Sequence, residues 1–232
     1  MDSPVGFLLV DKPINWTSND LVQYLKKKIP RKTKIGHAGT LDPLATGLMI
    51  IGIGRPATKQ FDQLLKKDKT YITEIDLSAY SETDDGEGPF DPMDLSDVKF
   101  PTESEIQKVI QEHFLGQITQ VPSKYSAIKI NGKRAYDLAR KGHEVKMPER
   151  KVLIHALEIL DYQFPILKIK VECSSGTYIR NLGRDIGTKL GFRGYLKSLR
   201  RIQIDKYVIE NAYQLEEIEK WDSIPAENLF MI

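Results

Sequence analysis

The residues best suited to chemistry lie in one glycine-rich loop, which reads Gly-His-Ala-Gly-Thr-Leu-Asp-Pro-Leu-Ala-Thr-Gly from Gly36 to Gly47. Asp42 stands before a proline, and proline disfavours helical geometry at the preceding residue. We therefore expect an extended or turn conformation that presents the Asp42 carboxylate, which could act as a nucleophile or a base. An Asp-Pro step also suits an ordinary turn, so the loop alone leaves both interpretations open.

The common motifs of phosphate-binding loops, dinucleotide-binding proteins and serine hydrolases are absent from the sequence. The loop has neither the Walker spacing nor the G-x-G-x-x-G spacing of dinucleotide-binding proteins. A serine nucleophile elbow requires G-x-S-x-G, and Ser175-Gly176 lacks the preceding glycine. Cys173 is the only cysteine and the four histidines are scattered, which argues against a disulfide and a Cys-rich zinc site. We expect no metal and no cofactor.

Two further groups of residues could contact RNA. Tyr178 and Arg180 stand where a strand gives way to a helix, and there an aromatic ring and a fixed cation could meet a base or a carboxylate. A tyrosine at such a position more often lies at the edge of a core. The segment Leu199-Arg200-Arg201 carries two adjacent arginines, which suit either a solvated surface or phosphate contacts.

Charged residues are sorted into blocks, although the formal net charge is only +2. Six basic residues and no acidic one lie between Lys26 and Lys34, and the segment from Lys124 to Lys151 is also strongly basic. Seven acidic residues and no Lys or Arg lie between Glu82 and Asp97. Each run alone suits a solvated surface, but together the basic blocks favour a polyanionic partner.

Regular elements surround the glycine-rich loop. A short apolar strand from Phe7 to Val10 and a helix capped by Thr17 or Ser18 precede it. An apolar strand from Leu48 to Ile53 and a helix opened by Pro56 follow it. These elements would hold both ends of the loop.

The rest of the chain mixes strands and helices without a regular βαβ repeat. Tyr71 to Leu77 has the composition of a strand, and Thr102 with Glu105 forms a capping box that opens a helix. Strict alternation from Ile166 to Cys173 predicts a strand buried on one face, followed by a helix that ends near Gly191. The acidic stretch from Ser81 to Phe100 has no apolar periodicity and is expected to be a long exposed connection.

These segments together resemble the TruB branch of the pseudouridine synthases, and they occur in that family's order from about Gly6 to Arg201. The loop Gly36 to Gly47 resembles the family's catalytic motif. The other matching segments are the opening motif Gly6 to Pro13 with Thr17-Ser18, the K-x-Y segment Lys69-Thr70-Tyr71, the third motif Cys173 to Arg180, the late motif Leu199-Arg200-Arg201, and a thumb loop formed by Val121 to Ala127 with Asn131 to Gly142.

The resemblance implies isomerisation of uridine to pseudouridine at position 55 in the T-arm of tRNA, with Asp42 as the catalytic carboxylate. It also implies that Arg180 pairs with Asp42 and holds it ionised. The remaining roles that it implies are base stacking and proton transfer at C5 for Tyr71, the pocket wall for Tyr178 and Leu199, contact with the T-loop for His37, and phosphate contacts in the thumb for Lys133 and Arg134.

The fold implied is α+β, with a mixed, largely antiparallel sheet flanked by helices and a projecting basic thumb at about 120–151. We expect residues 1–232 to form a single catalytic domain without the C-terminal PUA domain that family members commonly carry. No stretch of the sequence approaches the roughly 18 apolar residues of a membrane span. We expect a cytoplasmic monomer that binds the T-arm of tRNA.

Two other classes of function also fit parts of the sequence. An RNA-binding or RNA-folding module would need only the basic blocks and the aromatic residues, with Asp42 incidental. A glycoside hydrolase would use Asp42 with Asp84 or Asp85 as a carboxylate pair. The chemistry of the product separates the three: isomerised uridine, unchanged RNA or a released base.

Overall fold

The computed structural model describes residues 4–123, 125, 129–130, 133–135 and 147–232. They form two compact units. We call Met1–Ile72 with Leu199–Ile232 the terminal unit, and Thr73–Ser198 the central unit. The chain passes between the units within two strands, at residues 72–73 and 198–199.

The strands, in chain order, are β1 (Gly6–Lys12), β2 (Ile35–His37), β3 (Ala45–Ile53), β4 (Lys69–Asp76), β5 (Ala79–Ser81), β6 (Phe90–Pro92), β7 (Gly116–Gln120), β8 (Lys129–Ile130), β9 (Lys133–Arg134), β10 (Arg150–Gln163), β11 (Ile166–Cys173), β12 (Tyr195–Ile204) and β13 (Tyr207–Val208). The helices are α1 (Ser18–Lys26), α2 (Arg55–Thr58), α3 (Phe61–Leu65), α4 (Glu103–His113), α5 (Ile179–Lys189) and α6 (Leu215–Glu219). Short 3-10 turns occupy Ile209–Asn211 and Ala226–Asn228.

Strand β3 organises the terminal unit. It pairs antiparallel with β1 and with β2, and parallel with the end of β12, where Arg201 lies opposite Gly47. Gly47 has φ 109°, and a Cβ added there would lie 2.3 Å from the carbonyl oxygen of Arg201. Glycine is therefore required for the two strands to come this close. The core around β3 includes Phe7, Leu48 and Ile50.

Local signals explain the helices that were predicted correctly. Thr17 caps α1, with the reciprocal bonds to Asp20 that define a capping box. The same arrangement joins Thr102 to Glu105 at the start of α4, as predicted. Helix α5 begins at Ile179 and is followed by Gly191 at φ 79°, also as predicted. The single helix expected from Pro56 is instead two short helices, α2 and α3.

The central unit contains the strand sequence β4-β11-β10-β7. The long strand β10 pairs antiparallel with both β11 and β7. Strand β11 alternates buried and outward-facing residues, as the sequence predicts. The prediction of an α+β fold with a mixed, largely antiparallel sheet flanked by helices is confirmed.

The acidic stretch from Ser81 to Phe100, predicted as an exposed connection, departs from that prediction mainly in its first part. Its first residue, Ser81, belongs to β5, and its middle part, Phe90–Pro92, forms β6, which pairs with β5. Asp84 and Asp85 are each only 2% exposed. Buried carboxylates require partners, and these aspartates have basic ones, described below.

The predicted thumb, at about 120–151, falls largely outside the described residues. Within it, β8 pairs antiparallel with β9, so that Ile130 lies opposite Lys133. The side chains of Lys133 and Arg134 are outside what the structure describes. Within the described ranges, no helix combines the length and the apolar character needed to cross a membrane.

Candidate active site

The loop that carries Asp42 is fixed on both sides of the aspartate. The buried hydroxyl of Ser18, in the first turn of α1, donates to the Leu41 carbonyl over 2.9 Å and accepts from the Leu41 amide over 2.8 Å. On the other side, the amide of Asn15 donates to the carbonyl of Pro43 over 2.8 Å. The backbone on each side of Asp42 therefore has a definite anchor in the terminal unit.

Lys12, at the end of β1, is a buried cation close to this loop. Its ammonium group donates to the carbonyl oxygens of Pro13 at 2.8 Å, Trp16 at 2.6 Å and Pro43 at 3.4 Å. Burial lowers the pKa of Lys12 to about 8, and the charge of Asp42 opposes part of that change. Asp42 thus lies within the electrostatic reach of a buried positive charge.

Arg201 is a second buried cation, with 1% of its surface exposed. Its Nε donates to the carbonyl of Leu48 over 2.7 Å, while its two terminal nitrogens reach the carbonyls of Thr40 at 3.5 Å and Gly39 at 3.3 Å. The hydroxyl of Tyr71 also accepts a hydrogen bond from Arg201. Burial lowers the pKa of Arg201, and Tyr71 offsets part of this effect.

Three other predicted site residues lie in the terminal unit. Tyr71 and Leu199 are each 8% exposed. His37 is partly buried, and its Nδ1 has no hydrogen-bond partner among the described residues. Burial, followed by the nearby charge of Arg201, lowers the pKa of His37, so its neutral form predominates at neutral pH. Tyr71, His37 and the Asp42 loop therefore all have Arg201 as a neighbour.

Arg180, in α5, is buried in the central unit. Its guanidinium donates to the carboxylate of Asp85 at 3.0 Å and to the carbonyl oxygens of Thr83 at 3.1 Å and Tyr125 at 3.4 Å. Sequence reasoning did not identify Asp85 as a partner of Arg180. The pairing of Arg180 with Asp42 stays a prediction.

Asp84 binds the next part of the same helix. Its carboxylate accepts from the amide of Asn181 at 3.1 Å and from the guanidinium of Arg184 at 3.0 Å. Burial raises the pKa of Asp84 to about 6, against the opposing effect of Arg184. The two consecutive aspartates therefore attach the acidic loop to the first turns of α5.

Tyr178 occupies the N-cap position of α5. Its backbone exchanges two hydrogen bonds with the side-chain amide of Gln120, at 3.0 and 3.2 Å. The guanidinium of Arg150 lies 5.5 Å from the centre of the Tyr178 ring and also donates to the carbonyl of Gly176. These contacts fix the backbone of Tyr178, while its ring remains partly exposed.

Metal ligands do not cluster in the part of the chain that the structure describes. There, no three His, Cys, Asp or Glu side chains come close enough together to hold an ion. The expectation of a reaction without metal or cofactor stays a prediction.

Solved structures with a similar fold include a Cbf5-Nop10-Gar1 complex, with a TM-score of 0.68 and 26% identity over 91% of this chain and 52% of the matched chain. An archaeal box H/ACA sRNP Nop10-Cbf5 complex gives a TM-score of 0.67 and 24% identity over 94% of this chain and 53% of the other. The chain thus spans about half of the length of these two proteins.

Curated relatives share more of their length with this chain. A tRNA pseudouridine synthase B from Parabacteroides distasonis is 42% identical over 94% of both chains. The protein of that name from Phocaeicola vulgatus is 40% identical over 92% of both chains. A third, from Corynebacterium diphtheriae, is 41% identical over 93% of this chain and 72% of its own.

The fold and these relatives define the chain as a pseudouridine synthase, an isomerase. Residues 26–179 match the sequence profile described as TruB family pseudouridylate synthase (N terminal domain). The chain belongs to the TruB family. This result confirms the resemblance stated from the motifs, and it favours isomerisation over the RNA-binding and glycosidase alternatives.

Proposed function

We propose that this chain isomerises the uridine at position 55 in the T-arm of tRNA, with Asp42 as the catalytic carboxylate. The observation that carries the proposal is the environment of Asp42: a loop anchored on both sides, with the buried cation Lys12 in electrostatic reach. The relatives named tRNA pseudouridine synthase B support tRNA as the substrate.

The reaction breaks the N1–C1′ glycosidic bond, turns the uracil and rejoins it to C1′ through C5, so that all atoms are conserved. A carboxylate can take part as a nucleophile or as a base. Either role requires the carboxylate form of Asp42, and the positive charge of Lys12 is close enough to interact with that carboxylate.

The target base must leave its stack before the chemistry can take place. Extrusion costs a few kcal/mol, which contacts to the enzyme must offset. We assign stacking on the extruded base and proton transfer at C5 to Tyr71, and a pairing that orients Asp42 to Arg180. The other proposed contacts are the pocket wall for Tyr178 and Leu199, the T-loop for His37, and phosphates for Lys133 and Arg134.

The test compares Asp42→Asn with Asp62→Asn, a control that removes an exposed carboxylate from α3. Both variants are incubated with a T-arm hairpin, and pseudouridine is detected by its specific chemistry. We expect Asp42→Asn to lower the single-turnover rate by roughly 10³-fold or more, with binding within about threefold of wild type.

A hairpin with cytidine at position 55 tests the site of modification. The wild-type protein should form no detectable pseudouridine in that hairpin. Turnover by a pure preparation of Asp42→Asn would refute the role of Asp42, whereas modification elsewhere in the hairpin would refute the proposed position.

A further inference from the structure

Arg201 has the largest fully buried side chain among the described residues, although two adjacent arginines usually lie at the surface. A buried charge is costly unless it is hydrogen-bonded. Here the guanidinium is compensated by the carbonyl groups of Leu48, Thr40 and Gly39 and by the hydroxyl of Tyr71.

These acceptors include groups from the two segments that carry the proposed catalytic side chains. Gly39 and Thr40 precede Asp42 in the same loop, and Tyr71 lies on β4. A guanidinium is planar and its N–H groups point in fixed directions, so it constrains the acceptors more strictly than an ammonium group would.

The backbone of Arg201 is itself held in place. Its residue lies opposite Gly47 in the parallel pairing of β12 with β3. Gly47 has no side chain, so the two backbones can approach closely. A Cβ added at Gly47 would lie only 2.3 Å from the carbonyl oxygen of Arg201. The side chain therefore extends from a rigid position toward the loop and Tyr71.

We propose that Arg201 is a positioning residue that couples the Asp42 loop to the hydroxyl of Tyr71. Arg201 does not touch the substrate, and no bond or proton on it changes during the reaction. It sets where the carboxylate loop stands relative to the tyrosine. This inference rests on the proposed roles of Asp42 and Tyr71.

A double-mutant cycle of Arg201→Lys and Tyr71→Phe tests the coupling. Lysine keeps the charge but loses the fork of donors, and phenylalanine removes the hydroxyl but keeps the ring. We expect each single variant to lower the single-turnover rate on the T-arm hairpin by about 10²-fold, while the dissociation constant changes less than about threefold.

If the two residues act through their contact, the double variant should react at least about tenfold faster than the product of the two single losses predicts. A double-variant rate within about threefold of the value predicted from the product of the two single losses would overturn the coupling. A rate for Arg201→Lys within about threefold of wild type would overturn it as well. A purely structural defect would lower the folded fraction, which circular dichroism measures, without producing this non-additivity.

A second measurement keeps the proposal testable if Arg201→Lys does not fold. Tyr71→Phe leaves Arg201 in place but removes one of its acceptors. Tyr207→Phe is the matched control, because the buried hydroxyl of Tyr207 has no hydrogen-bond partner among the described residues. We expect Tyr71→Phe to lower the thermal midpoint by about 3 °C or more, and Tyr207→Phe to leave it unchanged or higher.

Equal midpoints for these two variants would overturn the contact between Arg201 and Tyr71. The outcome is separable from the proposed function. A wild-type protein that leaves uridine 55 of the hairpin unmodified would refute the proposed function, whereas an active wild type with multiplicative losses would refute only the coupling.

Discussion

Replacing Asp84 with asparagine should change how the free energy of unfolding depends on pH. Burial raises the pKa of Asp84 to about 6, from an ordinary value of 3.8. The folded protein therefore keeps the Asp84 proton to a higher pH than the unfolded chain does. Because of this, the Asp84 contribution to the free energy of unfolding decreases as the pH rises from about 4 to about 6.

The size of this effect follows from the shift in pKa. A difference of about two units, at about 1.4 kcal/mol per unit, corresponds to about 3 kcal/mol. Asparagine does not titrate, and its side-chain carbonyl can still accept hydrogen bonds from Asn181 and Arg184. The variant should therefore lose the pH-dependent contribution while keeping the attachment of the acidic loop to α5.

Urea unfolding of both proteins between about pH 4 and pH 7 measures the difference. We expect the free energy of unfolding of Asp84→Asn, relative to wild type, to rise by about 3 kcal/mol over this range. Asp222→Asn, which changes an exposed carboxylate, serves as the control and should follow wild type. Parallel curves for Asp84→Asn and wild type, within about 0.5 kcal/mol, would show that burial of Asp84 does not perturb its titration.

Three further predictions concern other parts of the molecule. Lys12→Met should lower the single-turnover rate by about tenfold or more, since the cation near Asp42 is lost. In wild type, the free energy of unfolding should rise between about pH 8 and pH 10.5, where only the unfolded chain keeps the Lys12 proton, and this variant should lack that rise. Gly47→Ala should destabilise the protein by about 3 kcal/mol or more, because its Cβ would meet the Arg201 carbonyl, and a thermal midpoint within about 2 °C of wild type would contradict this. Replacing Lys133 and Arg134 with glutamine should weaken binding of the T-arm hairpin and flatten its salt dependence by about one unit of slope per lost phosphate contact, measured by titration at several salt concentrations.

Elements defined by neighbouring residues could be predicted from the sequence. The alternation of apolar and polar residues from Ile166 to Cys173 is enough to predict a strand with one buried face, and β11 has that burial pattern. The pairs Thr17 with Asp20 and Thr102 with Glu105 are three residues apart, so each helix start is encoded within one turn. Such signals require no knowledge of distant parts of the chain.

The buried charges could not be predicted in the same way. Arg201 and Asp85 have residue types that usually lie at the surface, and their burial depends on partners far away in sequence. The hydrogen bond from Arg180 to Asp85 spans 95 residues, and that from Arg201 to Thr40 spans 161. The family motifs marked Leu199 to Arg201 as important, but the residue types alone gave no indication that Arg201 anchors the Asp42 loop.

The large separation between the Asp42 loop and Arg201 has a consequence for biosynthesis. A ribosome that adds about 5 to 20 residues per second makes Thr40 roughly 8 to 32 s before it makes Arg201, 161 residues later. The anchors Lys12 and Ser18 precede the loop in the chain and are therefore available as soon as it emerges. The arginine that connects the loop to Tyr71 is not, so a nascent chain stalled before residue 199 would carry its catalytic aspartate on an incompletely supported loop.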